Sequence, residues 1–380
     1  MNNKIGERIR RERELAGLNQ KELSKKAGIT NYQTLLKMER GERRITIKDI
    51  SAIAKALNLS ADYFICTNER PSYPVLWKGM KSRKECRVFE NKLTKYTDRY
   101  FHLNDILGIK VNAFHPLSSR EFAEKYSPYL DSERINLISK LAEDFIRDFN
   151  LGDYPADSLM NAITEKGIVV FSFKMNDAGL AACYVSNRGA SILLNKEENP
   201  WSIYCNICHE LYHILTWGIS DFKMHDYSLN TDDIEEKFAD EFAARLLIPE
   251  TTIRREINKL ESTEDFDDLL LSSLAVKFKV PAEMLLERIE SLKLVERKRI
   301  AKMRDLKTKS MVWKDLIKDC LVTTNMQTEE EYGMSYIMLA YSAWKKGKLT
   351  KMKMAEYLNK NVGELDYFLE KRGLADEQPQ

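Results

Sequence analysis

The 380-residue sequence predicts an α+β protein, mainly α with a small β-sheet. Three observations carry that expectation. Up to about residue 66, short stretches with apolar residues at helical spacing alternate with glycines, the pattern of an all-α domain. In the middle, Gly167 to Phe173 and Ser191 to Asn195 read as strands beside longer helical patterns. Beyond Pro249 helical periodicity runs to the end, giving a helical C-terminal region.

The length exceeds the roughly 100–200 residues of one ordinary domain, so two or three domains are expected. Hydrophobic residues at 43% and charged residues at 31% describe a globular chain and exclude long disordered tracts. No stretch approaches the roughly 20 apolar residues that cross a bilayer, and Met1-Asn2-Asn3-Lys4 opens into charged sequence without an apolar signal region. A cytoplasmic protein without a membrane partner is therefore expected. The six cysteines have no framework spacing, and the one C-x-x-C pair, Cys205 and Cys208, is only half of a four-thiolate site, so both read as small buried residues. Net charge is +2 overall, yet residues 1–66 hold 14 Lys/Arg against 8 Asp/Glu, a surplus suited to nucleic acid.

Ile5 to Ile65 reads as five short helices, of which the second and third have the turn of a helix-turn-helix. The first runs from Ile5 to Ala16 and stops at Gly17. Asn19 caps the second, with Glu22 placed to complete a capping box. Thr30 is the expected cap of a third helix over Asn31 to Glu39, stopped by Gly41, and a fourth spans Thr46 to Leu57. Leu23, Ala27, Ile29, Leu35, Met38, Ile47, Ile50, Ile53 and Leu57 are its expected core. Asn31, Tyr32, Gln33 and Thr34 then lie where such a motif reaches base edges of double-stranded DNA, while Gln20, Lys37, Arg40, Arg43 and Arg44 meet phosphates. The stretch resembles the XRE family of DNA-binding domains, through Asn19-Gln20-Lys21-Glu22-Leu23 and Met38-Glu39-Arg40-Gly41-Glu42. Gly28 to Gly41 is one residue longer than usual, which re-aims the turn before the recognition helix.

Asn199-Pro200 starts a helix that runs to Trp217, with Asn199 as cap. On it stands His209-Glu210-Leu211-Tyr212-His213. Two imidazoles four residues apart share a helix face and can bind one ion, with Glu210 beside them as general base. The preceding Ser191 to Asn195 strand is of the kind that lines the cleft of zinc peptidases, where a free edge pairs with an extended peptide. A catalytic zinc takes a third protein ligand and keeps one position for water. Thr231 caps another helix that ends before Pro249, and on its face Glu236 and Asp240 lie four apart. Glu236 is the expected third ligand, Asp240 the expected partner of a ligand histidine's other nitrogen. Glu235 projects about 100° away, beside Phe238 and Phe242, and ranks behind Glu236.

These segments resemble the ImmA/IrrE family of zinc-dependent endopeptidases, in which H-E-x-x-H precedes E-x-x-A-[ND]-x-F-A-x-x-L-L-x-P. Here that second segment runs from Glu236 to Pro249. With the strand Gly167 to Phe173 and the helix Glu133 to Phe149, the resemblance covers about residues 130–295, and fusion to an XRE domain is familiar in the family. It implies a glutamate-type zincin in which Zn2+ is held by His209, His213 and Glu236, Glu210 is the base, and the substrate is a repressor-type regulatory protein or the chain itself. A stress, phage or mobile-element response is the implied setting. Tyr212, His225 and Tyr227 are available as donors to a developing oxyanion, with nothing in their spacing to select one. A covering loop over Ile219 to Asn230 is a conceivable restraint on such an enzyme. The other histidines, His102 and His115, read as structural or surface residues.

The expected organisation is a helix-turn-helix domain over 1–66, a helical linker over 67–129, a zincin-like metallopeptidase domain over 130–295 and a helical region over 296–380. Ser291 to Ser310 is strongly basic and reads as a solvated linker helix. Leu349, Met354, Ala355, Leu358, Val362, Leu365 and Phe368 form a packing module or a homodimer contact, whereas Leu306 to Gln327 carries no readable motif. The alternative reading is a DNA-binding regulator whose protease-like domain is a sensor or protein-interaction module with little catalysis.

Overall fold

The structure is a computed structural model, and it describes residues 2–57, 64, 75–80, 83–111, 114, 116–130, 133–176, 178–186, 188–217, 232–260, 266–307 and 332–374. Four helices open the chain: α1 (Asn2–Leu15), α2 (Gln20–Lys26), α3 (Tyr32–Glu39) and α4 (Ile47–Ala56). The expected capping box is present at α2, where Asn19 accepts from the Glu22 amide and Glu22 accepts from that of Asn19. Thr46 and Asp49 form a second box at α4. Two details differ from the sequence reading. Asn31, rather than Thr30, caps α3, because its side-chain amide oxygen reaches the Gln33 N–H. Ile47 is 76% exposed instead of joining the core, since it occupies the first helical position, where no neighbouring element covers it.

Leu23, Leu35, Met38, Ile50, Ile53 and Leu57 do pack together, with Ala27 and Ile29 at the margin. A buried ion pair locks α1 to α3: Arg13 donates twice to Glu39, at 2.6 and 3.1 Å, and once to the Leu18 carbonyl. Breaking such a buried pair costs about 3–5 kcal/mol, since the partner left behind keeps its desolvation penalty. The same two helices touch through Gly6, where a Cβ would lie 2.3 Å from the Met38 carbonyl oxygen.

One four-stranded sheet, ordered β1-β3-β4-β2, organises the remainder. Its strands are β1 (Leu76–Lys78), β2 (Ile168–Phe173), β3 (Ala181–Ser186) and β4 (Gly189–Asn195). β4 runs parallel to β2 and antiparallel to β3, which in turn pairs antiparallel with β1. Side chains alternate between two cores. Ala181, Cys183, Ala190, Ile192 and Leu194 face one, while Ala182, Leu193, Phe171 and Phe173 face the other. With both faces covered, all seven residues of β4 are buried, which explains its continuous apolar run.

The front layer contains α7 (Arg134–Asp148), α9 (Ile203–Thr216) and α10 (Asp232–Leu247), numbered after α5 (Arg83–Leu107), α6 (Ser119–Leu130) and α8 (Leu159–Glu165). It continues through α11 (Glu250–Ile257), α12 (Asp268–Phe278), α13 (Ala282–Ser291) and α14 (Arg297–Lys307). The back layer joins α5 to the C-terminal helices α15 (Met334–Lys345), α16 (Lys351–Tyr357) and α17 (Val362–Glu370). The expected linker and the expected C-terminal packing module thus share one core behind the sheet. Met354, Ala355, Leu358, Leu365 and Phe368 are buried there, and Val362 stays exposed. The basic helix α14 buries Ile300 and Met303 and ties Arg304 to Glu283 and Glu290. Among the described residues no helix is long and apolar enough to cross a membrane.

Glu256 gathers charges at the junction of α11 and α12. Burial pushes its carboxyl up, but hydrogen bonds from Lys259, Lys277 and the Tyr154 hydroxyl outweigh that and hold it at about 2. Its stabilising contribution is therefore complete above the ordinary glutamate range near 4.3 and disappears as pH falls through about 2. Between pH 5 and pH 2 the melting temperature of the parent chain should fall more steeply than that of Glu256→Gln, as thermal unfolding by circular dichroism would measure.

Candidate metal centre and nucleic-acid interface

Residues His209, Glu210 and His213 stand on α9, which is wedged between the sheet and α10. The helix begins one turn later than expected, because Pro200–Ser202 forms a 3-10 turn first; Asn199 still caps that turn by accepting from the Trp201 amide. All three side chains are buried. From α10, Glu236 reaches across to both imidazoles: its Oε2 lies 3.1 Å from His209 Nε2 and its Oε1 3.2 Å from His213 Nε2. The two Nε2 atoms are 3.2 Å apart. Tetrahedral zinc with bonds of about 2.0–2.1 Å requires ligand atoms about 3.3 Å from each other, so the three donors form nearly one face of that tetrahedron. Among the described residues they are the group of three such side chains close enough to hold a metal ion.

Electrostatics agrees with that geometry. Burial disfavours a charged His209, yet Asp240 and Glu236 overcome this and hold the ring's pKa at about 9. Burial likewise pushes Glu236 up, but hydrogen bonds with His209 and His213 win and keep its carboxyl well below the usual range. The pocket favours positive charge at its centre. Glu210 behaves oppositely: burial raises its pKa and the histidines and the Cys183 thiol only partly offset this. Apart from the neighbouring Cys183 thiol, its buried carboxylate oxygens meet no hydrogen-bond partner among the described residues. A buried carboxylate with free lone pairs beside three ligands suits a water placed between it and an ion.

Asp240 lies behind His209. Its Oδ1 lies 2.8 Å from His209 Nδ1, fixing the ring so that Nε2 points to the ligand cluster. Lys78, which the sequence reading missed, donates to the same oxygen at 2.8 Å from 162 residues away in the chain. Nothing in the sequence links the two. Glu235 is engaged elsewhere, accepting from the Tyr212 hydroxyl at 2.9 Å and pairing with Arg134. Tyr212 therefore directs its hydroxyl toward Glu235, and His225, Tyr227 and the Ile219 to Asn230 segment lie outside the described residues. His115 lies outside them as well, while His102 is exposed with its ring tilted against that of Tyr357. Cys205 and Cys208 are buried; burial pushes the Cys205 thiol up to about 12 and that of Cys208 well above its ordinary value, which makes both inert.

One expectation is overturned by the sheet. The strand over Ser191 to Asn195 has no free edge, because β4 is bonded to β2 on one side and β3 on the other. A strand this apolar on both faces belongs inside a sheet, and the outer strands are β2 and β1, the latter paired to β3.

In the N-terminal domain Asn31, Tyr32, Gln33, Lys37, Arg40, Arg43 and Arg44 are exposed and Thr34 is half-buried, so α3 offers a polar, basic face. Gln20 turns inward instead, its amide donating to Glu39 at 2.9 Å. Glu39 offers a buried acceptor that a phosphate would have to replace. Asn31 spends its side-chain oxygen on the helix cap.

The helix-turn-helix family matches residues 9–64, and the family described as IrrE N-terminal-like domain matches residues 163–290. An uncharacterized transcriptional regulator in the ATPase CF(0) region of Rhodospirillum rubrum is 37% identical over 75 residues, which are 19% of this chain and 68% of that protein. The chain belongs to the XRE-type helix-turn-helix family and carries an IrrE-like peptidase domain. No solved structure matches. This IrrE-like domain spans β2 to β4, α9 and α10, and hence every residue of the ligand cluster.

Replacing Asp240 with Asn removes the negative charge behind His209 and lets an amide N–H compete for the ring nitrogen that Asp240 now fixes. Zinc affinity of Asp240→Asn should drop about 10–100-fold, read by competition with a chromophoric chelator.

Proposed function

We propose that this XRE and IrrE-like chain is a zinc-dependent endopeptidase and DNA-binding regulator that hydrolyses a peptide bond in a repressor-type protein, or in itself. The observation that carries the reading is the triangle of His209 Nε2, His213 Nε2 and the Glu236 carboxylate, with edges of 3.1–3.2 Å, beside the buried carboxylate of Glu210, whose neighbour besides the cluster is the Cys183 thiol. Zinc bound by these three residues would polarise a peptide carbonyl and acidify the attacking water. Glu210 takes the proton of that water at its free carboxylate oxygens and returns it to the leaving nitrogen. Asp240 keeps His209 in the binding tautomer, and Lys78 neutralises Asp240.

Regulation of transcription is supported by the N-terminal helix-turn-helix domain and by the similarity to a Rhodospirillum rubrum protein described as a transcriptional regulator. Exposed Asn31, Tyr32 and Gln33, with half-buried Thr34, are the residues proposed to meet bases, and Lys37, Arg40, Arg43 and Arg44 the ones that meet phosphates. A stress, phage or mobile-element response inside the cytoplasm is the setting in which cleaving a repressor would act as a switch.

Glu210→Gln should retain about one zinc per chain by elemental analysis and slow hydrolysis of a cognate repressor by about 10²–10⁴-fold. Undiminished cleavage in that variant would refute the peptidase reading. On the DNA side, Arg43→Ala with Arg44→Ala should weaken operator and non-specific duplex alike. It should also flatten the slope of log K against log salt by about 0.9 for each phosphate that the variant no longer neutralises.

A further inference from the structure

The peptidase reading leaves open how an extended polypeptide reaches the ligand cluster, and the sheet edge addresses this. The family-matched region, residues 163–290, contributes β2, β3 and β4, so within it β3 is the antiparallel edge next to α9. That edge is taken by β1, which comes from outside the matched region. Leu76 lies opposite Cys183, whose thiol neighbours the Glu210 carboxyl, and packs on the front core. Two residues on, and therefore on the same face, Lys78 pairs with Asp240. Val75 and Trp77 face the opposite core. The backbone of β1 thus passes along the ligand cluster in the manner of a peptide added to a sheet edge, with main-chain pairing for affinity and alternate side chains for selectivity.

We propose that the edge of β3 is a peptide-binding site and that residues 75–78 are its built-in occupant. A substrate strand enters by displacing β1 and resembles it, with an apolar side chain opposite Cys183 and a Lys or Arg two residues later that reaches Asp240. The seat is small. β1 has three residues, all half-buried, and Gly79 turns the chain away at φ +65°. Trp77 closes over Gly179, where a Cβ would come within 2.8 Å of the indole ring, so the seat also requires the absence of a side chain there. The occupant is tethered as well: Trp77 Nε1 donates to Glu90, Glu90 accepts from Arg87 at 2.8 Å, and Arg87 pairs with Glu12 on α1 of the DNA-binding domain. The tether places the strand that covers the peptide site in contact, through three side chains, with the domain that would sense DNA.

The test uses a fluorescein-labelled peptide of residues 73–80, Tyr-Pro-Val-Leu-Trp-Lys-Gly-Met, and the full chain carrying Glu210→Gln to prevent turnover. With Leu76→Asp and Trp77→Asp added, β1 loses its seat, and fluorescence anisotropy should show the peptide binding at least about tenfold more tightly than to the chain with intact β1. A peptide with Glu in place of its Lys should bind about tenfold more weakly than the parent peptide. A folded double variant that gains no affinity overturns the proposal. Amide hydrogen exchange on the chain with intact β1 covers the case in which the double variant does not fold. Leu76 to Lys78 should exchange faster than β4 and faster still with excess peptide, whereas protection equal to that of β4 makes β1 a permanent strand and also overturns it. Binding is read without chemistry, so the two readings fail separately. Peptide exchange at β3 in a chain that hydrolyses nothing upholds this proposal and sinks the peptidase, and hydrolysis without such exchange does the reverse.

Discussion

Two imidazole nitrogens and a carboxylate held within 3.2 Å of one another, largely out of water, are a costly arrangement unless something positive sits between them. The protein tolerates it because α9 and α10 are clamped together by Leu211, Ile214, Ala239, Phe242 and Ala243, all buried in one core. Packing of that density leaves side chains little freedom to swing apart. Small residues at Ala239 and Ala243 let the helices approach, and that closeness puts Glu236 within reach of both histidines. Around this constraint the polar groups divide into two sets. Asp240 and Lys78 balance charge behind His209, while Glu210 faces the cluster with only the Cys183 thiol beside it among the described residues.

The sheet explains why the clamp is rigid. β4 is bonded on both sides and buried on both faces, so α9 rests on a support that cannot slip by one residue without turning its apolar set the wrong way. The segments outside the IrrE-like domain complete that support. α5 and the C-terminal helices cover the back of the sheet, with Thr97 donating to the buried Ser191 and Arg99 to the Glu356 carbonyl. β1 closes the edge nearest the cluster. What looked like a linker and an appendage is part of one sandwich, and the DNA-binding domain touches it through Arg87 and Glu12 and through Asn91 and Leu57.

Much of this was legible in local chemistry. The capping box at Asn19, the spacing of His209 and His213, and the spacing of Glu236 and Asp240 are all short-range patterns, and helical periodicity converts each directly into a shared face. Local patterns failed where a neighbour decided the outcome. Ile47 follows the apolar spacing but nothing covers it, and Gln20 has the chemistry of a phosphate contact but finds Glu39 first. β4 has the composition of a strand, and composition cannot say which strands will flank it.

By itself the sequence determined the kinds of elements, the XRE-type and IrrE-like segments, and the spacings that put His209 with His213 and Glu236 with Asp240 on shared helix faces, because each depends on residues within a few turns of one another. Tertiary structure decided the rest. That α9 packs on both β3 and β4, that Lys78 sits on Asp240 across 162 residues, and that β1 fills the sheet edge are long-range pairings. Their stability comes from burial and strand pairing between segments whose sequences carry no mark of each other.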